Sequence, residues 1–308
     1  MCVPYSALQI QQKFDEASVP DWFALVTSHP RVLGSQFPDE EGWHKWVAAN
    51  GGMSNAFTAA EETRYFFEVK AEQLREALDR FAGFFTSPLL KEEGAARELL
   101  AVDSEHAKNK QNDMWREMQL DRSTANPAHV HNRFATGDSK TLRDEPQASG
   151  IDVRAALLEY HNSNYHAGRM YAVVVGKESP AELLEMASAR FGGVRSEGAE
   201  KQLYPSDPYG EERTAVVQYM LPLKETRRLN LKWALPPASK HWRSKPLNLL
   251  SHLIGHETKG SVAQFLREKG WSVGLSCGEL DSAESLSSFG VIIDVRSESG
   301  SESESGSG

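Results

Sequence analysis

The sequence predicts an α+β fold divided between two domains, and three observations carry that expectation. Strand-like and helical periodicities alternate along most of the chain. The stretch from Ser196 to Gly210, enriched in Ser, Glu, Lys, Pro and Gly, keeps neither period and separates two series of similar plan. The 308 residues also suffice for two cores of ordinary size.

Segment 1–38 has no sustained period and is interrupted by Pro20, Pro30 and Pro38, so the first domain is read over 39–195. Its opening helix, through Trp43 and Trp46, ends at Asn50-Gly51-Gly52, where glycine supplies the left-handed backbone of a helix terminus. Two strands follow, Ser54 to Thr58 and Thr63 to Val69, the second rich in aromatic and β-branched residues. Leu74, Leu78, Phe81 and Phe85 recur at helical spacing until Ser87-Pro88 ends that helix. A long helix is expected from Lys91 to Lys110, and another from Asp152, with Val153, Leu157 and Tyr160 on one face. Met170 to Val175 reads as a buried strand, and Pro180 to Phe191 as a helix closed by Gly192-Gly193. After the 196–210 linker, strands are expected at Ala215 to Met220, Leu229 to Leu235 and Gly290 to Val295, and helices at Pro246 to Ile254 and Ser261 to Lys269. These form a second domain, 211–296, of related plan. Residues 297–308 contain only Ser, Glu and Gly, a composition that cannot bury enough apolar surface to order itself.

Composition narrows the function. Net charge is -9, with 34 Lys+Arg against 43 Asp+Glu and no basic run, which argues against a nucleic-acid partner. No apolar run approaches the length of a membrane span, and the first residues lack the pattern of a secretory signal. Two cysteines, Cys2 and Cys277, build no disulfide framework. The expectation is a soluble, cytoplasmic protein.

On the helix Lys91 to Lys110, Glu98, Val102 and Glu105 fall on one face, the two carboxylates about 10 Å apart along the axis. Taken alone, such a face is a solvated charged surface. His252 and His256 stand at i, i+4 with Glu257 adjacent, but no third ligand follows at metal-binding spacing. His129 with His131, and His161 with His166, read as structural histidines.

The wording around these positions adds more. Arg97-Glu98-Leu99-Leu100-Ala101-Val102-Asp103-Ser104-Glu105-His106 resembles the helix that supplies the third zinc ligand in the insulin-degrading-enzyme and pitrilysin family, the inverzincins. Ser54-Asn55-Ala56-Phe57-Thr58 is similar to the family's edge strand, which pairs with the backbone of a bound peptide. Ala77 to Phe85, Asn112 to Arg116 and Gly150 to Arg154 also match its wording, and the resemblance runs from about Leu33 to Val295. His252-Leu253-Ile254-Gly255-His256-Glu257 resembles the segment that holds a substrate's amino terminus.

The resemblance implies two related α/β sandwich domains of the metallopeptidase roll type. It also implies Glu105 as a zinc ligand with Glu98 behind it, and Asn55, Ala56, Phe57, His252, Gly255 and Glu257 as peptide contacts.

The front of the chain departs from the pattern. Where the family has its HxxEH helix, this sequence reads Leu25-Val26-Thr27-Ser28-His29-Pro30. His29 falls at the second zinc ligand, Leu25 replaces the first histidine, Ser28 replaces the general base, and Pro30 would break the helix. Catalytic zinc takes three protein ligands and an open position, so weak or absent zinc and no hydrolysis are expected. The family's upstream strands have no counterpart in Met1 to Val32, which gives a first domain without its opening strands and an incomplete second. The expected partners are peptides together with a C-terminal half or an active homologue, the chain acting as a peptidase fragment or as a non-catalytic subunit.

Overall fold

The computed structural model describes residues 5–13, 37, 39, 42–59, 61–88, 92–133, 136–197 and 207–296. In chain order the elements begin β1 (Tyr5–Lys13), α1 (Gly42–Ala49), β2 (Met53–Thr58), β3 (Glu62–Lys70), α2 (Leu74–Thr86) and α3 (Glu92–Asn109). They continue with α4 (Asp113–Thr124), α5 (Glu145–Ala148), α6 (Val153–Asn164), β4 (Met170–Val175) and α7 (Pro180–Phe191). The last are β5 (Arg228–Leu235), α8 (Pro246–Ile254), α9 (Val262–Glu268), β6 (Ser272–Ser282) and β7 (Ser287–Val295). They divide into two compact units, Met1–Lys110 with Phe134–Gln202, and Gln111–Arg133 with Leu203–Gly308.

The first unit is organised by a four-stranded sheet, β2-β3-β1-β4, antiparallel at every pairing. Alternation along β3 sends Thr63, Tyr65, Phe67 and Val69 to one face, where α1 and α2 cover them. Trp43 of α1 and Val47, one turn later, are both buried, and the Trp43 ring lies 5.3 Å from those of Phe67 and Phe81 and 5.7 Å from that of Phe84. Helix α1 ends at Gly51, whose φ of 67° needs glycine. Leu99 and Val102 of α3 and Leu157 and Tyr160 of α6 complete the core. Local caps set the remaining helices: the Asp152 side chain accepts from Ala155 N (3.0 Å), and Ser179 and Glu182 form a reciprocal capping box on α7.

Two expectations for this unit are corrected. The first domain does not lack an opening strand: β1 lies at the middle of the sheet, with Leu8 opposite both Phe67 and Val174. Its alternation of Leu8 and Ile10 with Gln9 and Gln11 is too short to register against the prolines downstream. Met170 to Val175 is a strand but not a buried one, since it pairs only with β1 among the described residues and turns Tyr171, Val173 and Val175 to the uncovered face.

In the second unit β7 is the central strand of β5-β7-β6, again antiparallel, and residues 287–291 are its buried heart. The C-terminal end of α8 packs on β6, where Ser251 Oγ donates to the carbonyl of Cys277 at 2.7 Å. Sequence reading missed β6, whose apolar pattern is broken by Gly274 and Gly278 and by two bulges. It also expected a strand at Ala215 to Met220. That segment is irregular, with Ala215 at φ 57°, and its side chains Val216, Val217 and Tyr219 are exposed.

The units are not continuous in sequence. Residues 111–133, which the sequence reading placed in the 39–195 domain, belong to the second unit. The described end of the 196–210 linker buries Pro208 and Tyr209. Residues 198–206 of the linker, residues 1–4, 14–36 and 38 of the 1–38 segment, and the 297–308 tail lie outside the described residues.

Candidate functional site

Strand β2 is an edge: among the described residues it pairs with β3 alone, in the register Asn55↔Phe66, Ala56↔Tyr65 and Phe57↔Arg64. Ser54 and Ala56 face the core, Ser54 accepting from the Trp43 indole N–H (2.7 Å), while Asn55 and Phe57 stand on the uncovered face and are exposed. The Arg64 guanidinium lies over the Phe57 ring at 5.6 Å. Backbone groups on an open edge can take an added extended strand. Here Asn55 Oδ1 accepts from the Ala56 N–H at 2.8 Å, a bond that an incoming strand using that donor has to displace.

The two glutamates of α3 part company in their surroundings. Glu98 is buried beside Leu99 and Val102, whereas Glu105 is exposed. The positions beside Glu105 are fixed from within the unit: the Asp103 carboxylate accepts from Ser139 N at 2.8 Å, and His106 Nδ1 shares a 2.8 Å hydrogen bond with Thr136 Oγ1. Leu25, Ser28 and His29 lie outside the described residues. Among the described residues, the only set of three metal-ligating side chains with converging donor atoms is Asp121, His131 and Asp281, in the other unit.

The second predicted contact region is the end of α8. His252 and His256 are exposed, their rings 5.5 Å apart, and Glu257 lies 3.8 Å from Arg267 at the surface. Gly255 has a packing reason for being glycine, since a Cβ there would stand 2.8 Å from the Ser251 carbonyl and 3.2 Å from Cys277 Sγ.

A polar cluster that sequence reading did not assemble links α4 to the second sheet. Lys232 Nζ is 2.6 Å from Asp121 Oδ2 and 2.7 Å from Asp281 Oδ2. His131 Nε2 is 3.1 Å from the same Asp121 oxygen, and the Tyr209 hydroxyl donates to Asp121 at 2.9 Å. Burial alone would raise the Asp121 carboxyl, but His131, Lys232 and Tyr209 outweigh it and hold it at about 2. Burial opposes the charge of Lys232 too, and the two carboxylates override it and lift the ammonium above its usual range. The ammonium takes the place a cation would have among these donors, so the set closes on itself as a structural clamp. The same face of α4 carries Asp113, which accepts from Leu223 N at 3.0 Å, and Glu117, which accepts from the Asn230 amide. No helix of the described residues is long and apolar enough to cross a membrane.

Comparison with known proteins places these features. Residues 32–128 match the family described as insulinase (peptidase family M16), and residues 152–304 the peptidase M16 inactive domain. The chain is 38% identical over 273 residues to the A-factor-processing enzyme of Saccharomyces cerevisiae, covering 88% of this chain and 27% of that protein. It is 38% identical over 271 residues to the human insulin-degrading enzyme (88% and 27%) and 36% identical over 293 residues to that of Drosophila melanogaster (95% and 30%). The chain thus spans less than a third of the length of these relatives. The crystal structure of pitrilysin superposes with a TM-score of 0.83 at 25% identity, over 96% of this chain and 32% of that one. A peptidase M16 inactive domain from Pseudomonas fluorescens shares the fold at a TM-score of 0.75 and 16% identity.

Proposed function

Because the chain belongs to the insulinase (M16) family of peptidases, we propose that it binds extended peptides along β2 and does not itself hydrolyse them. The open edge of β2 carries the reading: it leaves backbone groups for strand addition, which holds peptides with little regard to most side chains. In the other unit, His252, Gly255 and Glu257 form a separate contact region, where by family resemblance a peptide's amino terminus would be received, Glu257 attracting the amine. Affinity is expected to be modest, because ordering a flexible peptide uses up much of the contact energy.

Zinc is the family's cofactor, and the residues of this chain do not fit it. Leu25 and Ser28 carry neither a ligand nor a base, and exposed Glu105 stands in no converging set of donors among the described residues. No hydrolytic step is therefore assigned. A second reading, a non-catalytic subunit that pairs with an active homologue, is compatible with the match of residues 152–304 to the inactive domain of the family. A chain with two cysteines suits a reducing, cytoplasmic setting.

The test is titration of a labelled extended peptide against the wild type, Ala56→Pro and Glu257→Gln. Proline at 56 removes the N–H now held by Asn55 and should abolish binding, while Glu257→Gln should weaken binding of a peptide with a free amine but not of an amino-blocked one. Equal binding by all three proteins would exclude both contact regions. Stoichiometric zinc after dialysis, or cleavage stopped by a chelator, would exclude the non-hydrolytic reading.

A further inference from the structure

The turn that follows α6 gathers basic groups for which the peptide-binding reading has no use. His161 lies in the last turn of the helix, His166 and Arg169 flank a short 3₁₀ turn, and Arg195 follows α7. The Ala167 N–H donates to the Arg195 carbonyl at 2.7 Å and locks the two segments together.

The two imidazoles are 7% and 4% exposed, yet among the described residues neither ring nitrogen of His166 has a hydrogen-bond partner, nor does Nε2 of His161. Buried nitrogens left in that state are costly and call for an explanation. The His161 ring is held in place by stacking on Tyr165, with centroids 4.5 Å apart and planes 15° from parallel. Arg195 is exposed, and its partners are the neutral oxygens of Asn162, the carbonyl at 2.7 Å and Oδ1 at 3.0 Å. The charge of Arg195 acts on both imidazoles and that of Arg169 on His166, and among the described residues no carboxylate acts on either ring. Arg195 thus sets an exposed positive charge beside two buried imidazoles in a chain of net charge -9.

A metal ion would be repelled by the Arg195 guanidinium, whereas an anion would accept from the imidazole N–H groups and from the fork of Arg195. Guanidinium geometry matches the paired oxygens of phosphate. We propose that His161, His166 and Arg195 form a binding site for a small oxyanion of the phosphate type. It is reached from solvent beside Ala167, Gly168 and Arg195, all of which are exposed.

The test follows the ring resonances of the histidines by NMR while inorganic phosphate is added to the full chain at constant ionic strength, with chloride as the control. His161 and His166 are assigned by loss of their signals in His161→Gln and His166→Gln. Saturable shifts of these two, with none at exposed His252 and His256, are expected with phosphate and not with chloride. Arg195→Gln should weaken phosphate binding by about tenfold or more. If that variant fails to fold, Arg195→Lys, which keeps the charge and loses the fork, should still weaken it measurably. Glycerol phosphate distinguishes the source: binding at least as tight as that of the free ion indicates a phosphoryl group on a larger ligand, and weaker binding indicates the free ion, either outcome supporting the site. Shifts that grow linearly and equally with chloride, or a saturable response untouched by the Arg195 and His166 variants, would overturn the proposal.

Discussion

The Lys232 ammonium sits 2.6 Å from Asp121 Oδ2 and so fastens β5 to α4. The same ammonium reaches Asp281 on β6, so one cation bridges two carboxylates from separate elements. Lys232→Met leaves those carboxylates facing each other. It is expected to destabilise the second unit by about 2–3 kcal/mol, below the range for a fully buried pair because each side chain keeps some contact with water. Adding Asp121→Asn should recover part of the loss. Urea denaturation of the single and double variants checks this, and strict additivity would mean that the pair is not coupled.

Lys232→Ala should turn the clamp into a cation site. Asp121, His131 and Asp281 then offer three donor atoms within 4.8 Å of one another and no ammonium among them. Equilibrium dialysis against zinc should find one ion per chain in the variant that the wild type does not take up. Equal uptake by both proteins would refute the view that the lysine stands in for a cation.

The units should respond to pH over different ranges. Burial, reinforced by Arg195, lowers His161 from 6.5 to about 4. The unfolded chain therefore binds the proton first, and the first unit loses stability as pH falls from about 6.5 towards 4. Asp121 is lowered from 3.8 to about 2, so its contribution is intact above 3.8 and lost only as pH falls towards 2. Lys232 is raised, so its contribution is full below 10.5 and declines above that. Hydrogen exchange resolved by residue, at pH 7 and pH 5, should show α6 loosening while α4 and β5 hold. Equal loosening of both would contradict the assignment.

Gly255→Ala should cost about 1–3 kcal/mol, the usual range for overpacking, because the new Cβ meets the Ser251 carbonyl and Cys277 Sγ. Cys277→Ala relieves only the sulfur contact and should rescue only in part. Thermal denaturation reads both. A neutral Gly255→Ala that still weakened peptide binding would move the role of this glycine from packing to recognition.

Trp43→Ala removes the ring that meets Phe67, Phe81 and Phe84 and should cost about 3–5 kcal/mol in the first unit. Near-native stability by denaturant titration would mean that this aromatic cluster is not central to the core.

What could be read in the sequence was what is decided locally. The capping box at Ser179 and Glu182, the glycine stop at Gly51 and the aromatic alternation of β3 each set their element within a few residues. What escaped depends on distant partners. Asp113, Glu117 and Asp121 recur every four residues along α4, the pattern of a solvated acidic face, yet they meet Leu223, Asn230 and Lys232. The edge position of β2 was legible through family wording at Asn55-Ala56-Phe57, whereas the Asn55 bond to its own neighbour was not. Helical spacing placed Glu98 and Glu105 on one face, but it could not foresee that the first would be enclosed and the second left in water.

The passage of the chain out to the second unit at 111–133 and back again sets an order of events during synthesis. Asp121 leaves the ribosome more than a hundred residues ahead of Lys232 and further still ahead of Asp281. At about 5–20 residues per second, Asp121 on α4 waits on the order of ten seconds for the ammonium that will pair with it. Over that interval the remaining residues of the first unit are made before the partners of α4, so a chaperone that met the nascent chain then would find α4 before the second unit was whole.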